Sequence, residues 1–335
     1  MKENEIRPTE LFEEYLRLST KDAEDYFGEE NERINRACPA CDSDEYQTAF
    51  EKNKFRLVWC DRCGSLYANT CPNQSCLAEF YEQSPSQKFW ANTFSPAVEK
   101  TRQKKIFQPR ARQIQKLLIK YQMPKPSRVI DVGAGTGAML KELKRIGFGE
   151  ELVGIEPGPW RCDDLFVFHG FANDAAKDKS LIGSASFVMS FEVIEHVISP
   201  MEFLNDLSAL AQPGGILLIT GLCGSGFDIQ ILGENSRSVS PPQHLNFISI
   251  QGVESLLKRC GLEKISFTTP GVLDVDIVRN SFADDPTTVS NSFFHQLFLQ
   301  DDEKVLKNLQ KFITSNNQSS HMWILARKPK KSLGR

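Results

Sequence analysis

The stretch Arg128–Gly137, RVIDVGAGTG, constrains the fold more than any other. Arg128 to Val132 is a short apolar run carrying one carboxylate, Asp131. Gly133, Gly135 and Gly137 follow at alternate positions. Behind them, Met139, Leu140, Leu143 and Ile146 repeat with helical spacing until Gly147 stops the helix. The pattern predicts strand, glycine turn, helix. Glycines in such a turn take positive φ and let the backbone approach a ligand, and the helix N-terminus presents free N–H groups.

Two kinds of cofactor use this turn. Gly133, Gly135 and Ala138 fit the dinucleotide pattern G-x-G-x-x-G/A. Asp131, two residues before the first glycine, makes D-x-G-x-G-x-G, which resembles motif I of class I S-adenosylmethionine (SAM) methyltransferases. A carboxylate there suits a cationic ammonium and sulfonium better than a pyrophosphate. Glu156 ends the next strand (LVGIE) about twenty residues on, where an acid can take both ribose hydroxyls. Asn173-Asp174 follows a third strand near Leu165–Phe168, with Asp174 as the candidate adenine contact.

At the N-terminal side, Cys38-Pro-Ala-Cys41 and Cys60-Asp-Arg-Cys63 are separated by eighteen residues. Two such knuckles point to a tetrahedral metal site, read as structural zinc on Cys38, Cys41, Cys60 and Cys63. Arg36, Arg56 and Arg62 are placed to offset the thiolate charge. Before the knuckles, 8–27 reads as an amphipathic helical segment with Leu11, Phe12, Tyr15 and Leu16 on one stripe. After them, 64–100 is polar and Pro/Ser-containing, and reads as linker or lid. Lys100–Lys120 reads as a basic helix with a solvated face, or with a phosphate-facing patch.

The 335 residues suffice for one large domain and a smaller one. The expected division is 1–35 helical, 36–70 zinc ribbon, 71–100 linker or lid, and 101–335 cofactor-binding domain with a helical insertion at 270–317. The net charge of −3 supplies no field toward nucleic acid or an anionic membrane. No apolar run reaches membrane-spanning length and MKENEIRPTE holds no signal-type core. Nine cysteines, an odd number, fit a reducing, cytoplasmic setting better than a disulfide framework. Downstream, FVMSF (187–191) predicts a fourth strand, and Ser199-Pro200-Met201-Glu202 a capped helix running to about Gln212. Pro213-Gly214-Gly215 would stop it before a fifth strand at Ile216–Thr220. A capped helix Ser249–Cys260, a sixth strand Glu263–Thr268, a helical stretch 291–316 and a last strand His321–Arg327 complete an α/β, doubly wound, mostly parallel sheet.

From about 126 to 270 the chain resembles class I SAM methyltransferases throughout: DVGAGTG, Glu156, FEVIEHV, QPGG and PPQHLNFIS. With the knuckles it looks like the zinc-ribbon methyltransferases of sugar and cell-surface polysaccharide biosynthesis. That resemblance implies a seven-stranded Rossmann-like sheet whose last pair is antiparallel, a small N-terminal ribbon, and Pro270–Asn317 as an insertion covering the acceptor. It implies SAM as cofactor and a small-molecule or glycan acceptor, a nucleotide-linked sugar; oxygen rather than carbon is the expected position, because the sugar C-methyltransferases usually carry a further C-terminal domain for which these 335 residues leave no room. The pattern Glu192-x-x-Glu195-His196 matches metal positions of ubiquinone-pathway O-methyltransferases, so these three could hold Mg²⁺, or His196 could serve as base. His244 lies where the group brings a histidine to the acceptor. Other readings are a quinol or phenol O-methyltransferase, an NAD-dependent dehydrogenase, and a non-catalytic SAM-fold partner protein.

Overall fold

The computed structural model describes residues 1–27, 33–158 and 165–330. Thirteen strands lie among them: β1 (Arg33–Asn35), β2 (Tyr46–Lys52), β3 (Phe55–Cys60), β4 (Leu66–Ala68), β5 (Thr70–Pro72), β6 (Arg128–Val132), β7 (Glu151–Glu156), β8 (Phe166–His169), β9 (Ala185–Ser190), β10 (Ala211–Leu222), β11 (Asn246–Phe247), β12 (Glu263–Thr268) and β13 (His321–Arg327). Seven form one mixed sheet in the order β12-β13-β10-β9-β6-β7-β8. Six run in one direction, and β13 alone in this sheet runs antiparallel to its neighbours β10 and β12. This is the Rossmann-like methyltransferase fold the sequence predicts.

Alternation along the central strands builds the two faces. Ile130, Val132, Val188, Leu217 and Ile219 pack on one side with Leu204, Leu207, Val253 and Leu256 of the helices Pro200–Leu210 and Ile250–Arg259. Val129, Phe187, Met189 and Leu218 pack on the other with Ala111, Ile114, Leu140 and Leu143 of Gln108–Lys120 and Ala138–Arg145. One boundary differs from expectation. The helix ends at Leu210, and Gln212-Pro-Gly-Gly215 belongs to β10 as a register shift between Ala211 and Ile216. The bulge leaves Pro213 without a ladder hydrogen bond to make.

The cysteine-bearing ribbon is continuous with the core. Its sheet has the order β11-β4-β3-β2, and β11 comes from the core loop after His244, pairing Asn246 with Tyr67 and Phe247 with Leu66. Arg36 joins the two. Its Nε donates to Ala68 O (2.8 Å), its Nη1 to Ile198 O (2.7 Å) and its Nη2 to Leu245 O (2.9 Å). Arg36 also interacts by charge with Cys38, as expected of a thiolate offset, whereas Arg56 bonds Asn69 and Arg62 is exposed.

Residues 74–120, read in part as linker, are helical: Gln74–Gln83, then one unbroken run from Pro85 to Lys120. Two turns of that run, Trp90–Phe94 and Gln103–Phe107, are π-helical, with Ser95 N–H donating to Trp90 O and Gln108 N–H to Gln103 O. Pro96 and Pro109 each stand two residues past a π turn. A proline ring clashes with the carbonyl four residues back, and the wider turn relieves the clash. Each π turn also absorbs about one residue of helical phase at roughly 100° per residue. Trp90 and Arg110, twenty residues apart, would point about 160° away from each other in a pure α-helix; with two residues absorbed they stand close to five whole turns apart, on one face.

The N-terminal helix Thr9–Phe27 packs on this run: Tyr15 meets Trp90 (ring centroids 4.8 Å) and Asp22 accepts the Ser86 N–H (2.7 Å). Between β12 and β13 lie the helices Asp274–Asp284, Ser292–Gln300 and Glu303–Ser315. The first lies within the helical insertion expected at 270–317, ahead of the helical stretch read at 291–316. Its Asp276 accepts the Glu3 N–H (2.6 Å), tying this insertion to the N-terminus.

Arg36→Met removes three hydrogen bonds at the join and leaves Ala68 O and Ile198 O without the Arg36 donor, while Leu245 O keeps only the Ala68 N–H (3.0 Å). We expect a loss of about 3 kcal/mol or more in urea denaturation, with ribbon and core still unfolding in a single transition. Two separated transitions in the wild type would contradict a shared cooperative unit.

Candidate active site

The glycine turn leaves β6 with Gly133, Gly135 and Gly137 at φ +76°, +51° and +67°. A Cβ on Gly133 would stand 2.5 Å from Val193 Cγ2, so the turn cannot carry a side chain there. Glu156, at the end of β7, accepts the N–H groups of Gly135 (2.9 Å) and Gly158 (3.0 Å). Asp131 is buried and its Oδ1 has no hydrogen-bond partner. Burial, reinforced by Glu156 and opposed by Arg110, pushes its carboxyl up to about 7. A buried carboxyl with a spare oxygen beside three backbone-only positions is a cradle for a cationic, polar ligand. Asp174 is exposed and accepts the Phe171 N–H (3.2 Å) as a helix cap, whereas the neighbouring Asn173 keeps a shielded, unpartnered Oδ1.

At the same end of the sheet, Glu192 holds φ +55°, a conformation a non-glycine residue keeps only when its surroundings fix it. Thr220 fixes it. The Glu192 N–H donates to Thr220 O (3.3 Å) and Oγ1 (3.2 Å), and the Thr220 hydroxyl donates to Glu192 Oε1 (2.5 Å). Arg110 Nη2 (3.5 Å) and His321 Nδ1 (3.4 Å) face the same oxygen. Burial favours the neutral acid, but His321, Arg110 and the Thr220 hydroxyl overcome it and hold Glu192 below the usual carboxylate range. Trp323 Nε1–H donates to His321 Nε2 (3.1 Å), which leaves the proton on Nδ1, toward Glu192. Glu195 is the opposite case. It is buried, its Oε2 has no partner, and burial together with the charge of Glu192 keeps it protonated well above the carboxylate range.

The ligand atoms of Glu195, His196 and His244 lie within 4.8 Å of one another. Glu192, expected with Glu195 and His196 as a magnesium set, turns instead to Thr220, Arg110 and His321. One carboxyl oxygen and two imidazole nitrogens is not the oxygen-rich set magnesium takes. His196 Nδ1 meets the Tyr81 hydroxyl at 3.2 Å, and the two imidazoles stand edge to face at 4.9 Å. His244 Nδ1 lies 2.6 Å from Ser238 O. A carbonyl oxygen can only accept, so Nδ1 carries the proton and Nε2 is left as a base. Burial lowers His196 to about 3, with His244 adding to the effect, and burial lowers His244 to about 4. Both are neutral at neutral pH.

Tyr81, Arg110 and His321 were not singled out by the sequence. Tyr81 lay in a supposed linker and His321 at a strand start. Arg110 is one of eight basic residues in Lys100–Lys120; Lys104, Lys105, Arg112, Lys116 and Lys120 are exposed, and Arg110 turns inward over the Phe191 ring (4.7 Å). The aromatic residues of 80–90 were the available signal.

The four knuckle cysteines also converge, with Sγ atoms 3.6 Å apart for Cys38 and Cys63 and 3.4 Å for Cys41 and Cys60. Asp42 (φ +64°) and Gly64 (φ +68°) occupy matching positions after the second cysteine of each knuckle. A separate cavity of about 670 Å³, between Tyr121, Ser186, Gln212 and Arg327, opens at the other end of the strands.

Residues 99–266 match the model of a methyltransferase-domain family. The chain belongs to that family. The domain is that of the class I SAM-dependent methyltransferases, as the sheet order and the glycine turn require. Among curated proteins, it is 24% identical over 152 residues to a ubiquinone biosynthesis O-methyltransferase of Cereibacter sphaeroides, covering 41% of this chain and 61% of that protein. It is 26% identical over 170 residues to a tRNA U34 carboxymethyltransferase of Idiomarina loihiensis, covering 46% and 51%. The chain thus spans 40–61% of the length of such relatives. A solved SAM-dependent methyltransferase of Archaeoglobus fulgidus aligns at 16% identity and TM-score 0.42, covering 65% of this chain and 94% of that one. No helix among the described residues is long and apolar enough to cross a membrane.

Asp131→Asn removes a carboxyl that is costly to ionise in the folded state. Its folded value of about 7 lies above the unfolded value of 3.8, so wild-type stability from this group is present below pH 3.8 and lost as pH rises through 7. The ligand-free variant should therefore gain over wild type on going from pH 5 to pH 8, by about 2.5 kcal/mol in paired denaturation curves. A pH-independent difference would show that Asp131 is ionised throughout.

Proposed function

We propose that this protein transfers the methyl group of SAM to a hydroxyl of a sugar, carried as a nucleotide-sugar or glycan. The observation that carries the reading is the half-buried, neutral imidazole of His244, with Nδ1–H held by Ser238 O, Nε2 left as an acceptor, and the His196 ring, itself held by Tyr81, beside it. When bound, the cofactor supplies a methyl on a positively charged sulfur, already activated for displacement. What remains for the protein is to hold the partners in line and to take one proton from the acceptor hydroxyl.

The residues divide that work. Gly133, Gly135 and Gly137 give the backbone cradle, Asp131 faces a cationic group, Glu156 takes ribose hydroxyls, and Asn173 replaces Asp174 as the adenine contact. His244 Nε2 accepts the acceptor proton. The Tyr81 hydroxyl and His196 fix the neighbouring ring. Glu195, protonated, shapes the pocket without adding negative charge, and Glu192 is balanced by Arg110 and His321. The resemblance of ribbon-plus-core chains to sugar-modifying methyltransferases supports the sugar. The E-x-x-E-H pattern and the ubiquinone-pathway relatives support a quinol or phenol instead.

The four cysteines are read as a structural zinc site. Tetrahedral zinc with Zn–S bonds of about 2.3 Å places sulfurs roughly 3.8 Å apart, close to the separations between the paired cysteines. The ion would cross-link the two knuckles and so stiffen the strand that pairs with β11.

His244→Ala should lower kcat by about 100-fold or more, with SAM affinity by calorimetry unchanged. Turnover is followed by mass spectrometry of nucleotide-sugars and phenols incubated with the full chain and SAM. An unaffected kcat removes His244 as the base. Methylation of a quinol or phenol and of no sugar derivative overturns the sugar assignment.

A further inference from the structure

The helical run from Pro85 to Lys120 brings one cation into the site without an ionic partner. Arg7 faces Glu3 (3.4 Å), and Arg110 faces Glu192 (3.5 Å). Arg102 makes no hydrogen bond and no ion pair among the described residues, and its Nε is shielded from solvent. Its guanidinium stands 5.8 Å from the Trp90 ring centroid and 6.0 Å from that of Phe107. Aromatic faces accommodate the positive charge but leave the N–H fork unused. Burial, with Arg7 and Arg110 nearby, lowers Arg102 to about 10, so it remains charged at neutral pH. A structural arginine in this chain looks different: Arg36 has carbonyls for all of its outer nitrogens.

The surroundings connect Arg102 to the methyl-transfer region. Trp90 beneath it touches Tyr15. The charge of Arg7 is felt at His244, and the charge of Arg110 at Asp131 and Glu195. Arg7 and Arg110 both act on Arg102 by charge, and each of those two already has a carboxylate. An acceptor entering here meets an open fork set among like charges, which suits a multiply charged anion. A guanidinium fork matches phosphoryl oxygens with two parallel N–H···O bonds.

We propose that Arg102 anchors a phosphoryl group of the methyl acceptor, with Trp90 and Phe107 bracketing the guanidinium. This rests on the reading that the acceptor binds beside His244, and it narrows that acceptor to a phosphorylated or diphosphate-linked molecule. In this assignment Arg102 is a binding residue remote from the reacting atoms. The exposed lysines of the same helix have no part in it.

The test uses the full chain saturated with S-adenosylhomocysteine and titrated with inorganic pyrophosphate by calorimetry. The wild type should bind pyrophosphate saturably. Arg102→Gln should bind it at least tenfold more weakly, and Arg102→Lys, which keeps charge but lacks the fork, should fall between the two. SAM affinity should be equal in all three. The melting temperature of ligand-free Arg102→Gln should match or exceed wild type, because an unpaired buried charge is removed, and pyrophosphate should raise only the wild-type and Lys values. Absence of pyrophosphate binding to the wild type, equal binding to Arg102→Gln, or a clear drop in the melting temperature of both variants would overturn the proposal. Arg102-dependent pyrophosphate binding in an enzyme that methylates only phenols would leave the anion site standing and remove the sugar reading. A methylated nucleotide-sugar whose KM ignores Arg102→Gln would do the reverse.

Discussion

Two residues of backbone pairing, Asn246 and Phe247 of β11 against Tyr67 and Leu66 of β4, make the ribbon and the methyltransferase core one body. The join is buried, so its polar groups must be satisfied within the protein. Arg36 supplies three donors to carbonyls on both sides of it. Asn246 Nδ2 donates to Ile194 O (3.0 Å) and Val197 O (2.7 Å), and the Ser249 hydroxyl closes on Cys63 O. These bonds reach both loops that carry the site. Ile194 and Val197 flank Glu195 and His196, and β11 begins two residues after His244. The Leu245 N–H donates to Glu195 O (2.7 Å), so the two histidine-bearing segments are held to each other as well as to the ribbon. The cysteine knuckles therefore bear on where the imidazoles stand.

The second constraint is helical phase. A helix wall between the N-terminal helix and the sheet can contribute to the site only if its inward residues line up over several turns. Trp90, Arg102 and Arg110 do so because the π turns at Trp90–Phe94 and Gln103–Phe107 each remove about one residue of phase. The prolines that would end an ordinary helix are accommodated by the same widened turns. The result is an aromatic and cationic face on which Arg102 lies over Trp90 and Arg110 reaches Glu192. Tyr81 comes from the preceding helix and reaches His196, and Tyr15 from the N-terminal helix backs Trp90.

The parts of this arrangement that sequence reveals are those with a local signature. The glycine turn, Glu156, the capped helices at Ser199 and Ser249, and the paired knuckles all follow from short spacings and have the predicted geometry. Long-range completion was not legible. Nothing in PPQHLNFIS marks Asn246–Phe247 as the edge of a sheet whose other strands lie nearly 180 residues earlier. The polar composition of 64–100 reads as linker, although Phe80 and Phe94 there are fully buried. The E-x-x-E-H cluster suggested three ligands for one cation. The Thr220 hydroxyl and the positive φ of Glu192 turn that side chain away and let His244 take its place beside Glu195 and His196. Asp174, the expected adenine contact, caps a helix because its position beside the free Phe171 N–H favours a local bond.

The most direct test of this account is hydrogen–deuterium exchange across the loop Ser238–Asn246 in wild-type protein and in Cys60→Ser, with metal content measured on both. The wild type should hold about one zinc per chain and exchange slowly at the Leu245 and Asn246 amides, which donate to Glu195 O. In Cys60→Ser the metal should be lost and these amides should exchange faster, while the glycine turn at Gly133–Gly137 keeps its wild-type rate. A Cys60→Ser protein whose ribbon opens while Leu245 and Asn246 stay fully protected would contradict it, because the ribbon would then have no hold on the loop that carries His244.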